Sequence, residues 1–360
     1  MNNLENQQKR KKDKKPLYLL LGLFLFFAFF IFLITRPSTQ STAKGELEIC
    51  VNIPEVKSVW DKFKPELHDD EEFILEVRKK LDTFKPDETQ VIECIAWLPQ
   101  APTSVNIVII PDLSRRITDQ VNNPDQVKND TILLHAAWSS FVENFKLGVD
   151  TKHKLIVDVT DINQAKGQFG KVANNLQFDL AKHKGKSNRL YFTHQTDLMF
   201  LNSIKNMYAS AVQLPLGADY RFYFKRYLED RLKKPTLFDN FINKLIIITD
   251  GYMEAQGKYA DTKIYGFETQ LRLAVSKNNV LQEITELGFN IPKENVDLSN
   301  TEILICEVND RKMGKGYDYE ILKTYWTEWL GRMNVKKLLF LQREQALDIT
   351  RQKLNDFIKI

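Results

Sequence analysis

Val105-Asn106-Ile107-Val108-Ile109-Ile110-Pro111-Asp112-Leu113-Ser114 passes from an aliphatic run straight into a carboxylate and a hydroxyl. A nearly continuous aliphatic run reads as a strand buried on both faces. Its end is a polar cluster rather than another apolar turn. The same arrangement occurs twice more. Asn188-Arg189-Leu190-Tyr191-Phe192 leads into Thr196-Asp197, and Lys244-Leu245-Ile246-Ile247-Ile248-Thr249 ends in Asp250-Gly251. In an open parallel sheet, ligands bind outside the carboxyl ends of the strands. Carboxylates and hydroxyls converging there would form an all-oxygen site, which suits a hard cation such as magnesium.

Working outward, strand-like and helix-like segments alternate from residue 103 to the end. Strands are predicted at 105–110, 154–159, 189–192, 244–249, 302–308 and 336–341. Helical periodicity covers 131–145, 198–212, 220–232, 280–287, 317–333 and 345–358, with 238–241 read as continuing the layer of 220–232. This alternation predicts an α/β fold with a doubly wound, mostly parallel sheet covered on both faces, occupying 103–360. Trp326 and Trp329 fall with Leu322, Tyr325, Leu330 and Met333 on one apolar helical stripe, which reads as core rather than as a ligand platform.

The preceding segment, 46–100, reads as a small α+β unit. Strands are expected at 47–53 and 90–98, around a helix at 71–84 with Phe73, Ile74, Val77, Leu81 and Phe84 on one face. Pro99-Gln100-Ala101-Pro102 marks a boundary. If the two strands pair, Cys50 and Cys94 would be placed to form a disulfide; otherwise both are buried thiols. Cys306, inside an apolar run, reads as a core residue.

The net charge of +4 is localised. Residues 1–15 hold six basic residues (Lys9, Arg10, Lys11, Lys12, Lys14, Lys15) against Glu5 and Asp13, so the rest of the chain balances. A neutral body gives no electrostatic reason to expect nucleic-acid binding. The basic tail precedes an uncharged run rich in Leu, Phe and Ile, and a helix of about 20 apolar residues crosses a bilayer. A signal peptide would have a shorter apolar stretch and a small-residue cleavage site. Residues 16–35 are therefore expected to be a transmembrane helix. The Lys/Arg excess before it places the N-terminus in the cytoplasm and the C-terminal domain outside. Residues 36–45, rich in Ser and Thr, read as a flexible linker.

The polar clusters resemble the metal-ion-dependent adhesion site of von Willebrand factor type A domains. Asp112-Leu113-Ser114-Arg115-Arg116 resembles that family's Asp-x-Ser-x-Ser. Gln195-Thr196-Asp197-Leu198 resembles its Thr-Asp-Leu segment, and Ile248-Thr249-Asp250-Gly251 its Thr-Asp-Gly. The resemblance covers about 103–343, with the three pieces in the family's order. It implies Asp112, Ser114, Thr196 and Asp250 as metal ligands. The ion would be Mg2+, with Mn2+ or Ca2+ as alternatives, and an acidic group of a partner protein would replace one bound water. Arg116 departs from the pattern, because it stands where the family has a second Ser. It would either point away and leave an incomplete site, or pair with Asp112 or Asp250 and take the metal's place.

The separation of Asp112 and Asp250 is long for that family. The excess lies at 161–187, rich in Lys and Gly, and at 215–239; such insertions near the top edge of the sheet are either where binding specificity is built or solvated surface loops. Gly167-Gln168-Phe169-Gly170-Lys171-Val172 lacks the Gly and the hydroxyl of a phosphate loop. No His-Glu-x-x-His, Cys-x-x-Cys or Gly-x-Ser-x-Gly occurs. A metal-assisted hydrolase built on Asp112 and Asp250 would need a base, and His194 is the one candidate. The sequence thus points away from an enzyme. It points to a membrane-anchored module that binds a protein partner through the top of the sheet, or to a metal-free scaffold subunit of an envelope complex.

Overall fold

A computed structural model describes residues 38–146, 152–183, 194–216, 218–253, 269–311, 317–343 and 346–359. The predicted transmembrane helix at 16–35 and the predicted strand at 189–192 lie outside these residues. Among the described residues, no helix is long and apolar enough to cross a membrane. The chain divides into two compact units, Met1–Pro99 and Gln100–Ile360.

The described part of the first unit is helical throughout, which corrects both the flexible linker and the α+β reading. Helices span Thr39–Ile49, Ile53–Leu67, Glu71–Thr83 and Glu88–Trp97. Each begins at a side-chain cap that satisfies an otherwise orphaned backbone donor: Ser38, Asn52, Asp70 and Asp87. Asp87 and Gln90 form a reciprocal capping box, which starts a helix where a strand was expected. Val56, Trp60, Phe63 and Leu67 recur at helical spacing and are all buried. Trp60 stacks on Phe73, with ring centroids 5.9 Å apart. Cys50, Cys94 and, in the second unit, Cys306 are buried free thiols.

The second unit is an α/β domain. Its six strands are β1 (Thr103–Pro111), β2 (Lys154–Val157), β3 (Gln177–Asp179), β4 (Asn240–Ile248), β5 (Thr301–Val308) and β6 (Lys337–Gln342). They lie in the order β3-β2-β1-β4-β5-β6. All neighbours are parallel except the antiparallel pair β2–β3. The 161–187 stretch, expected to be loop, holds two short helices (Ile162–Lys166 and Gln168–Val172) and β3. The 215–239 stretch carries the helix expected at 220–232: Tyr220–Tyr223 continues through a π-helical turn, Phe224–Leu228, into Glu229–Arg231. Residues 238–241 do not extend that helical layer, because β4 begins at Asn240.

Alternation along the strands divides the core in two. Val105, Ile107 and Ile109 face the helices Gln126–Phe145, His194–Gln213 and Leu347–Ile358. Val108 and Ile110 face the 220–231 helix and the helix Tyr317–Gly331, with Trp326, Trp329 and Leu330 fully buried. Burying each such aliphatic side chain contributes about 1.5–3 kcal/mol. Strand order reverses between β1 and β4, the position where doubly wound sheets open a crevice. Pro111 pairs with Ile248 there, so the residues that follow, Asp112 and Thr249, emerge side by side.

Candidate functional site

Asp112 leaves β1 and donates its backbone N–H to Ile248 O of β4 at 2.9 Å. Both of its carboxylate oxygens are engaged. Oδ1 accepts the Ser114 backbone N–H (2.9 Å) and Oδ2 accepts the Thr249 hydroxyl (2.7 Å). Ser114 caps the 3-10 turn Arg115–Ile117, its Oγ accepting the Arg116 backbone N–H at 3.4 Å. That turn exposes Arg115 and drives Arg116 into the protein.

Arg116 is buried with its whole guanidinium. Nε donates to the Asp112 carbonyl (3.1 Å) and lies 3.5 Å from Asp112 Oδ2. Nη2 donates to Asp130 Oδ2 (2.6 Å) and to Ile248 O (3.0 Å). Neither Arg116 nor Asp130 exposes any side-chain surface. The Asp130 carboxylate also accepts from Tyr208 OH (2.9 Å) and Gln126 Nε2 (2.6 Å). Burial pushes the Asp130 carboxyl upward, against the opposing pull of Arg116, Tyr208 and Gln126. Three donors converging on one carboxyl are the partners of an ionised acceptor, so the pair is assigned as Arg+ and Asp−. Burial works against the Arg116 charge, yet Asp130 and Asp112 leave that group above its ordinary range.

Asp250 is buried beside this pair. Its Oδ2 accepts from Arg311 Nε at 3.1 Å and its Oδ1 from the Tyr252 backbone N–H at 3.4 Å. The Arg311 guanidinium sits over the Tyr252 ring, 4.0 Å from its centroid. Burial raises the Asp250 carboxyl, Arg311 opposes this, and the nearby Asp112 charge adds to it. Gly251 makes the turn with φ +96°. A Cβ there would meet Val308 Cγ1 at 2.9 Å.

Asp112, Ser114, Arg116 and Asp250 are therefore gathered at the β1–β4 switch point. The hydroxyl on Asp112 comes from Thr249. Thr196 lies partly buried in the first turn of the His194–Gln213 helix. Its neighbour Asp197 is held by His135 Nε2 (2.8 Å) and Trp138 Nε1 (3.1 Å). His194 is exposed on the same turn. Sequence reading missed Asp130, Tyr208, Thr249 and Arg311. The helix that carries Asp130 begins at Gln126, five residues before the start expected at 131, so the residue fell outside the predicted element.

Magnesium demands near-octahedral oxygen ligation and keeps several waters. The donor set here does not suit it. A guanidinium spans the ground between Asp112 and Asp130, and protein donors already occupy the carboxylate oxygens of Asp112. Among the described residues, no three His, Cys, Asp or Glu side chains gather in a metal-holding group. Beside the loop, a cavity of about 260 Å3 is lined by Leu113, Gln164, Phe169, Met207 and Ser210 among others, with no charged side chain. No family model and no curated protein matches the chain.

Proposed function

We propose that the chain is a membrane-anchored protein-interaction scaffold. In this reading its second unit is a type A-like domain that works without a divalent ion, Arg116 supplying the positive charge at the top of the sheet. One observation carries it: the Arg116 guanidinium is fully enclosed and ion-paired to Asp130 while it hydrogen-bonds the Asp112 carbonyl. A buried guanidinium held this way cannot leave for an incoming cation without stranding two carboxylates, and stranding one partner of a buried pair costs about 3–5 kcal/mol. The strand order and the side-by-side Asp112 and Thr249 support the type A-like reading. The uncharged cavity beside Leu113 supports a contact surface for a partner protein. The anchor is residues 16–35, and the domain stands on the extracytoplasmic side.

The test is calorimetric titration of Mg2+ and then Mn2+ into full-length protein in neutral detergent. No saturable heat is expected. Saturable binding that Asp112→Ala abolishes would overturn the metal-free reading. An alkaline carbonate wash of membranes tests the anchor, and release of the protein would overturn it.

A further inference from the structure

On the face of the sheet that packs against the 220–231 helix, one row of strand partners runs Asp179–Lys154–Asn106–Asn243. Lys154 shares parity with Ile156, which faces that core, so its side chain projects to the same side. The chain after the 220–231 helix is pinned across this row. Asn106 Nδ2 donates to Arg231 O at 2.8 Å. Asn243 holds Lys233 through both its amide groups, at 2.8 and 2.9 Å. From the other side, Lys182 ends the short turn that follows β3. Two further segments thus bring three cations, Arg231, Lys233 and Lys182, toward the half-buried Lys154 ammonium.

Two carboxylates share the neighbourhood: Asp158 is paired with Arg231, and Asp179, the strand partner of Lys154, offsets part of the repulsion there. Asp158 accepts from Arg231 Nε (2.5 Å) and Tyr223 OH (3.1 Å). Asp179 Oδ1 caps the turn by accepting the Ala181 N–H (3.0 Å). Among the described residues, Lys154, Lys182 and Lys233 form no ion pair. Burial holds the Lys154 ammonium below its ordinary range, the Lys233 charge adds to this, and Arg231 and Lys182 push the same way against Asp179. A half-buried cation repelled by three others is destabilising in the free protein, and a bound anion would relieve it.

We infer that Lys154, Lys182, Lys233 and Arg231 form a binding site for a phosphate group at the β2–β3 edge of the domain. A tetrahedral anion presents oxygens in several directions, which matches cations arriving from three segments, and lysines bind phosphate as point charges. A single carboxylate has one charge and one face to offer. The phosphate belongs either to a soluble compound or to a lipid headgroup, and the site chemistry is the same. It is independent of the Asp112–Arg116 cluster.

The test follows the unfolding temperature of the full-length protein in neutral detergent, at ionic strength held constant with sodium chloride. Pyrophosphate, inorganic phosphate and short-chain phosphatidylglycerol are titrated in turn. A saturable rise with at least one of them is expected. Lys154→Met should bind that compound about tenfold or more weakly. Without ligand it should unfold no lower than the native protein, because a repelled cation has been removed. Lys182→Ala with Lys233→Ala, both exposed positions, should fold normally and weaken binding as well. A rise with pyrophosphate or phosphate alone points to a soluble compound, and a rise with phosphatidylglycerol alone to a headgroup. No saturable rise with any of the three, or equal affinity in both variants, overturns the site.

Discussion

Arg116 and Asp130 face each other at 2.6 Å with neither side chain exposed, joining the loop after β1 to the helix Gln126–Phe145. In water such a pair would add little; enclosed, it is a device that fails badly when half is removed. Arg116→Met should cost about 3–5 kcal/mol, because Asp130 is then buried without its counter-charge. Asp130→Leu should cost a similar amount, and the double substitution should recover most of the loss. Urea unfolding of the four proteins measures the coupling. Additive losses would mean that the two residues do not act as a pair.

Asp250 sets a pH dependence. Burial raises its folded-state titration above the ordinary 3.8. The native state therefore holds this proton in a range where the unfolded chain has released it. The sign follows: Asp250 lends stability below pH 3.8, and the contribution is lost as pH rises through the folded value. Asp250→Asn removes the titration. The stability of the native protein minus that of the variant should fall with pH from about 4 upward, and then level off. A flat difference, measured by urea unfolding across pH 4 to about 8, would refute the assignment.

Gly251 is the one residue in the Thr249-Asp250-Gly251 turn whose missing side chain is required. At φ +96° an L-residue is strained, and a Cβ would press on Val308 Cγ1 at 2.9 Å and Leu322 Cδ1 at 3.2 Å. Backbone strain of this kind costs about 1–3 kcal/mol, with overpacking of the core adding about as much again. Gly251→Ala should therefore destabilise by more than about 2 kcal/mol. Its hydrogen-exchange protection should drop first in β5 and the helix Tyr317–Gly331. Wild-type protection there would show that the turn relaxes without strain.

The alternating α/β domain was legible from the residues alone, because short runs rich in β-branched residues such as Ile107–Ile110 and Leu245–Ile248, alternating with longer helical patterns, favour strands covered on both faces. The sequence also determined that Asp112 and Asp250 follow strands, and hence that they belong at the sheet's carboxyl end. It did not determine the first unit, where short apolar runs such as 90–98 fit a buried strand and a helix equally well until the Asp87 capping box is seen to start a helix. It did not reveal β3, whose three residues are too short to show a period. Tertiary structure alone chose Thr249 as the hydroxyl on Asp112, since that choice follows from the Pro111–Ile248 register between strands far apart in the chain. Tertiary structure also gave Arg116 its partner. Charge attraction is not directional along a sequence, and the carboxylate that meets a buried guanidinium is whichever one the packed helices carry to it: here Asp130.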